Sequence, residues 1–411
     1  MPSQIAWLDA SSEEQRKMRD IIQLFTERES RDELGIGQLR SAISDGLFPG
    51  TTVLLTRARY MLFVPWIYQL ASTRADPEAE ADRLERKLIA AMDQSSEDTA
   101  GLLGAVAGSA LKNLPSAIYW GMLRRYRVVL EPAVTRSDAV RMYRAGHDAP
   151  LDKETLRPQI WSTTMPGPPP GFPHEIPGGF TMTPDEAAWL RDRILNEAPG
   201  TLLAHLAVNP PSDTSDYAWL DEAALRVTGG ARALLDHAQA FSAVLHGAQL
   251  LYNYLLAESS QRVARQPTSE ATGADNDPVE EYRDRLDVWA AELETHLSLA
   301  TWDLEDLITR AESIRESPLH GKMKSFIREW LSILREDGQE ALFQNGRARR
   351  LITLREKCNK KSLARIDNPK RLQTWSGASG AGALNYRWGT VRTIMADIRN
   401  GLSRESEVAR A

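Results

Sequence analysis

Leu234, Ala238, Phe241, Leu245, Ala248, Tyr252 and Leu255 recur at alternating intervals of four and three residues, and Val244 and Leu251 widen the same stripe. That spacing keeps one side of an α-helix apolar over about six turns. A stripe broader than a coiled-coil seam needs cover from several neighbours, so the segment reads as a central buried helix around which the rest must fold. Other segments repeat the signal on a smaller scale. Ser11 stands three residues before Glu14, a capping-box spacing, and Met18, Ile21, Ile22 and Phe25 follow at helical intervals. Leu39, Ile43 and Leu47 mark a short helix stopped by Pro49 and Gly50, and Thr51 or Thr52 is expected to cap the next one. Residues 76–95 read as an amphipathic helix, Pro115 and Ser116 as a helix start, and Thr183 with Glu186 as a second capping box. Tyr282, Leu286, Trp289 and Leu293, then Phe326, Trp330, Leu331 and Leu334, then Leu384 to Leu402 complete the pattern. Residues 126–131 are the best strand candidate. The expected fold class is mainly α, with two or three helical subdomains.

Two stretches break the periodicity. Seven prolines lie between Pro158 and Pro177, with Gly167, Gly171, Gly178 and Gly179 among them. Proline removes backbone donors, so a linker over residues 151–181 is expected. Residues 264–280 are rich in Pro, Thr, Ser, Gly, Asp and Asn, which predicts a polar linker. The implied domains are 1–150, 182–263 and 281–411, and a light protease is expected to cut within 158–180 or 264–280. One cysteine excludes an internal disulfide and a zinc site built on Cys pairs. The longest apolar run is Tyr60–Tyr68, and the first residues lack a basic segment followed by an apolar one, so neither export nor a membrane span is expected. A cytoplasmic protein follows.

The seven histidines include no helical pair with an acid between them, and no Walker or dinucleotide glycine pattern occurs. No cofactor and no tightly bound metal are therefore expected. His320-Gly-Lys322 matches only the opening of a phospholipase-D-type motif, since Ile327 stands where its aspartate belongs. Two features suit nucleic acid. In the helix starting at Ser116, a wheel puts Tyr119, Met122, Leu123 and Tyr126 on one face and Trp120, Gly121, Arg124 and Arg127 on the other, chemistry suited to a DNA groove. Packing of Trp120 on a neighbour is the alternative. The second feature is the C-terminal charge: residues 341–411 hold 15 Lys plus Arg against 5 Asp plus Glu, a balance of +10 that leaves −16 for residues 1–340. Arg349, Arg350, Lys360, Lys361, Lys370 and Arg371 are its candidate phosphate contacts, with Trp375 as a stacking partner.

The blocks Arg31-Asp-Glu-Leu-Gly-Ile-Gly37, Leu47-Phe-Pro-Gly-Thr51 and Thr56-Arg-Ala-Arg-Tyr60 resemble the signature of an uncharacterised prokaryotic family known only as a domain of unknown function. Ser116-Ala-Ile-Tyr-Trp120, His246-Gly-Ala-Gln-Leu-Leu-Tyr-Asn253 and Tyr386-Arg-Trp388 extend the likeness across most of the chain. The resemblance implies a place in multigene anti-phage defence clusters that also encode helicases, methyltransferases and phospholipase-D-like nucleases, with defence proteins as partners. It implies no catalytic residues. The expected function is a non-enzymatic defence component that binds DNA or RNA or bridges enzymes acting on them. The alternative is a hydrolase, nuclease-like, whose acids and histidines assemble only in the fold. Three carboxylates or histidines converging near Arg57 and Arg59 would favour the second, yet these two arginines lie about 200° apart on a helix, so one at least should be a structural ion pair.

Overall fold

The computed structural model describes residues 32–95, 99–105, 107–108, 111–141, 159–264, 277–296 and 298–408. The helix expected after Ser11 and nearly all of the polar linker lie outside these residues. The elements are α1 (Gly37–Leu47), α2 (Tyr60–Ala71), α3 (Pro77–Ser95), α4 (Pro115–Arg125), α5 (Pro184–Glu197), α6 (Leu202–Val208), α7 (Glu222–Leu225) and α8 (Gly229–Ala264). They continue with α9 (Pro278–His296), α10 (Leu304–Arg315), α11 (Gly321–Glu336), α12 (Gly346–Lys360), α13 (Pro369–Leu372) and α14 (Trp388–Val408). The fold is mainly helical. Among the described residues there is no strand: the segment 126–131 contributes a single antiparallel bridge, Val129 to Trp161.

The described chain divides into two units, one of residues up to Ile43 with His237–Leu384, the other of Ser44–Asp236 with the residues from Asn385 on. Both are discontinuous, so their limits follow neither the Pro/Gly-rich stretch nor the polar one. The first unit is built on α8, whose part within it supplies the stripe residues Ala238, Phe241, Leu245, Ala248 and Tyr252, all buried. Two indoles fasten neighbours to it: Trp289 of α9 donates to the Ala243 carbonyl at 2.8 Å and Trp330 of α11 to that of Val244 at 2.9 Å. Gly247 is required by the first of these contacts, because a Cβ there would lie 2.3 Å from the Trp289 ring.

In the second unit α2 packs on α3 and α4, and α14 packs along α5. The capping box at Thr183 forms as expected, with Glu186 N donating to the Thr183 hydroxyl at 3.2 Å and Thr183 N to the Glu186 carboxylate at 3.0 Å. The threonines near residue 51 do not cap α2, which starts at Tyr60 with Arg59 as its N-cap residue and no side-chain cap. Thr51 Oγ1 instead donates to the Phe48 carbonyl at 2.7 Å.

The Pro/Gly-rich stretch corrects the expectation of a linker. Ile160, Trp161, Phe172, Ile176 and Phe180 are buried, and the Phe172 ring stacks 5.8 Å from Phe63. Backbone that enters no helix has free carbonyls, and buried donors take them up. Trp66 Nε1 donates to the Pro166 carbonyl at 2.7 Å, and the Arg59 guanidinium donates to those of Pro177 at 3.0 Å and Gly179 at 2.6 Å. Limited proteolysis of the native protein should therefore leave 159–180 uncut, and Arg59→Met should open that stretch to cleavage, as mass spectrometry of the fragments would show. Cleavage of the unaltered protein there under mild conditions would contradict this packing.

Candidate nucleic-acid interface

Arg347, Arg349, Arg350, Arg355, Lys357 and Lys360 lie on α12, which Asn345 caps by accepting from Arg347 N at 2.9 Å and Ala348 N at 3.0 Å. The helix buries Ala348, Ile352 and Glu356, half-buries Arg349, Arg355 and Lys360, and exposes Arg350, Leu354 and Lys357. Most of these cations are committed within the first unit. Arg347 pairs with Glu329 and Glu336, and Arg349 grips Glu258. Arg355 donates to the carbonyls of Leu34 at 2.6 Å and Gly35 at 2.8 Å. Lys357 meets Asp367 at 3.3 Å, an exposed pair of small worth.

Lys360 is largely covered and engaged with acids of its own unit. It touches Glu33, lies 2.9 Å from the Tyr252 hydroxyl and 3.7 Å from Glu356. Arg365 joins the same cluster, donating to Glu33 at 3.2 Å and to Ser379 Oγ at 2.9 Å. The Tyr252 hydroxyl donates to Glu356 at 2.7 Å, and the same carboxylate accepts from Arg365 N and Ile366 N. Two buried acids thus face two partly covered bases, and such pairing is the condition for burying charge. Burial first, then the Arg365 guanidinium, push the Lys360 ammonium down to about 7. A small cavity beside the cluster is lined in part by Asp32, Glu33, Gln249, Tyr252 and Ser379. Trp375 is also engaged, its Nε1 donating to Asn253 Oδ1 at 3.3 Å.

What remains of the basic segment is Arg350, Lys361, Lys370 and Arg371, all exposed and, among the described residues, without an acidic partner. Arg350, Leu354 and Lys357 follow one another at i, i+4, i+7 on the open side of α12, and Lys361 begins the 3₁₀ turn Lys361–Leu363 that continues it. The remaining cations from residue 385 on belong to the second unit. There Arg387 pairs with Asp45 at 2.6 Å and Arg399 with Asp213 at 2.8 Å.

The α4 helix keeps only part of its expected outward face. Ser116 is fully buried, its N–H donating to Glu85 at 2.8 Å, and Trp120 is 8% exposed. The indole donates to the Val134 carbonyl at 3.1 Å and packs against the rings of Tyr68 and Trp161, so a neighbour takes the place a groove was expected to fill. Arg124 and Arg127 do stand at the surface, Arg124 donating to the Pro132 carbonyl at 3.0 Å and Arg127 meeting Glu197 at 3.3 Å. Arg57 and Arg59 are both structural. Arg57 holds Asp397, which also accepts from Ala58 N at 2.8 Å, and Arg59, 2% exposed, holds Glu186 at 2.9 Å. The acids near these two arginines are thus their own ion-pair partners. Among the described residues, no group of three or more His, Cys, Asp or Glu is placed to hold a metal ion.

The segments that carry the sequence resemblance supply much of both networks: Asp32–Gly37 and His246–Asn253 meet at the buried cluster, and Thr56–Tyr60 meets Tyr119. Tyr119 Oη accepts from Thr56 N and Arg57 N and donates to the Arg57 carbonyl at 2.8 Å. Residues 2–401 match DUF6361, a family of unknown function. The chain belongs to DUF6361. No curated protein and no solved structure matches it. Within the DUF6361 match lie both polar networks and the basic segment of α12 and α13. No helix among the described residues is long and apolar enough to cross a membrane.

Proposed function

We propose that this protein is a non-enzymatic, cytoplasmic component of an anti-phage defence system that binds DNA or RNA or bridges the partners that process it. The observation that carries the reading is that Arg350, Lys361, Lys370 and Arg371 hold exposed positive charge and, among the described residues, meet no acid. Cations left unpaired at a surface attract phosphate and release its counterions on contact. The defence setting rests on the sequence resemblance.

Reversal of these four residues to Glu should abolish a mobility shift at low salt. Milder replacement by Gln should lower the slope of log K against log salt by about three to four, close to 0.9 per lost phosphate contact. Stability should change little, since each residue is exposed. Absence of any shift with the unaltered protein at low ionic strength, on duplex and single strand alike, would remove nucleic acid as the partner.

A hydrolase is the second reading, favoured by the buried meeting of Glu33, Glu356, Lys360 and Tyr252 beside a cavity. Each carboxylate there already accepts several hydrogen bonds, which suits a structural role better than proton transfer. Nuclease activity lost on Glu33→Gln with the fold intact would reverse that preference.

A further inference from the structure

Two leucines are exposed on the basic surface itself. Leu354 is 59% exposed and Leu363 is 55% exposed, whereas the other large apolar side chains of α12 and its turn are covered or half-covered. Leu354 sits between Arg350 and Lys357 on one side of the helix, and Leu363 closes the turn that Lys361 opens. Cation and hydrocarbon are thus interspersed along this stretch, with Leu354 among Arg350 and Lys357 on α12 and Leu363 two residues after Lys361 in the turn, and Lys370 and Arg371 lie further along the same unit.

We propose that this surface takes a single strand of nucleic acid, with the leucines against its bases and the cations against its phosphates. The inference rests on the nucleic-acid reading above and narrows it to one class of ligand. A duplex turns its sugar-phosphate backbone outward and keeps base faces stacked inside, so it offers an exposed leucine nothing apolar. A single strand presents both at once: phosphates along one edge and unstacked base faces along the other, which every base carries whatever its identity. Charge complementarity selects a polyanion, and the interleaved leucines select the one whose apolar faces are free. Arg350 to Lys361 covers roughly 16 Å of helix axis at 1.5 Å per residue, room for several nucleotides.

Leucine and cation contribute to different observables, and that separates the two roles. Replacing both leucines with Asn removes apolar contact and leaves the charge unchanged. Binding of an oligonucleotide of roughly 15 bases, within the site sizes single modules cover, should then weaken about tenfold at every salt concentration with the salt slope unchanged. The cation variants should do the reverse and flatten the slope. The test is a titration of the full chain with labelled oligo-dT, oligo-U and a duplex of equal length, at several salt concentrations, for the unaltered protein and Leu354→Asn/Leu363→Asn. Either single strand bound at least tenfold more tightly than duplex, with the preference lost in the leucine variant, supports the proposal, and comparison of the two strands shows which sugar is favoured. Equal affinity for duplex and single strand, or a leucine variant that binds unchanged, overturns it while leaving the nucleic-acid reading in place. No binding of any of the three probes defeats that reading itself. Circular dichroism of the variant keeps the comparison sound, since both leucines are exposed and their replacement should leave the fold intact.

Discussion

Glu356→Ala should destabilise the protein by about 3 to 5 kcal/mol, the loss expected when one partner of a buried ionic cluster is removed. Glu356 has no exposed surface, and its carboxylate accepts from the Tyr252 hydroxyl at 2.7 Å, Arg365 N at 2.8 Å and Ile366 N at 3.1 Å. Alanine would leave two backbone donors unsatisfied and Lys360 with Glu33 as its remaining carboxylate. Against a total stability of about 5 to 15 kcal/mol, such a loss is readily measured as a shift of the urea midpoint. Glu356→Gln keeps an acceptor for the backbone and should cost less. Glu356→Ala combined with Lys360→Met should cost less than the two single losses together, because each single change strands the other residue. A loss under about 1 kcal/mol for Glu356→Ala would mean that the cluster does not hold the first unit together.

Glu85→Gln should stabilise the protein at neutral and higher pH, by up to about 3 kcal/mol, and should have little effect below the ordinary glutamate range. The Glu85 side chain is buried on α3, where one oxygen accepts from Ser116 N at 2.8 Å. The other meets no hydrogen-bond donor among the described residues. Desolvation pushes its carboxyl up to about 7, with nearby Asp82 adding to the rise, while the hydrogen bonds from Ser116 and the charge of Arg136 oppose it. A carboxyl raised in the folded state holds its proton better there than in the unfolded chain. The stability this contributes is complete below the unfolded value near 4.5 and falls as pH rises toward 7, after which it changes no further. The neutral amide does not suffer that loss, so the gap between the two proteins should open between about pH 4.5 and 7. Urea titrations of both across pH 4 to 8 measure it, and a gap that stays constant with pH would show that Glu85 does not titrate there.

Most helices were legible in the sequence, because what starts, stops and faces a helix lies within a few residues. The stripe on α8, the Thr183 capping box, the Pro115 start and the stop after Leu47 all form where their local signals place them. The start of α10 is of the same local kind, with Asp303 accepting from Glu305 N at 2.9 Å. The stretch 159–180 misled because proline and glycine speak only to backbone hydrogen-bonding patterns. That its carbonyls would satisfy Arg59 and Trp66, about 100 residues or more away, has no local trace.

Charge was legible as a sum and not as an arrangement. The excess of basic residues after position 340 belongs to the composition, but whether a given cation is a surface charge depends on acids remote in the chain. Lys360 is held by Glu33, Arg349 by Glu258 and Arg387 by Asp45, whereas Arg350, Lys361, Lys370 and Arg371 meet none among the described residues. Likewise Trp120, polar face or core by periodicity alone, went to the core because Val134, Tyr68 and Trp161 supplied an acceptor and two rings. Helix positions follow from the local order of residues, since propensity, capping and periodicity act over one or two turns. Which charges and aromatic rings stay in water was settled by folding, since burial and ion pairing depend on what other segments bring to the same place.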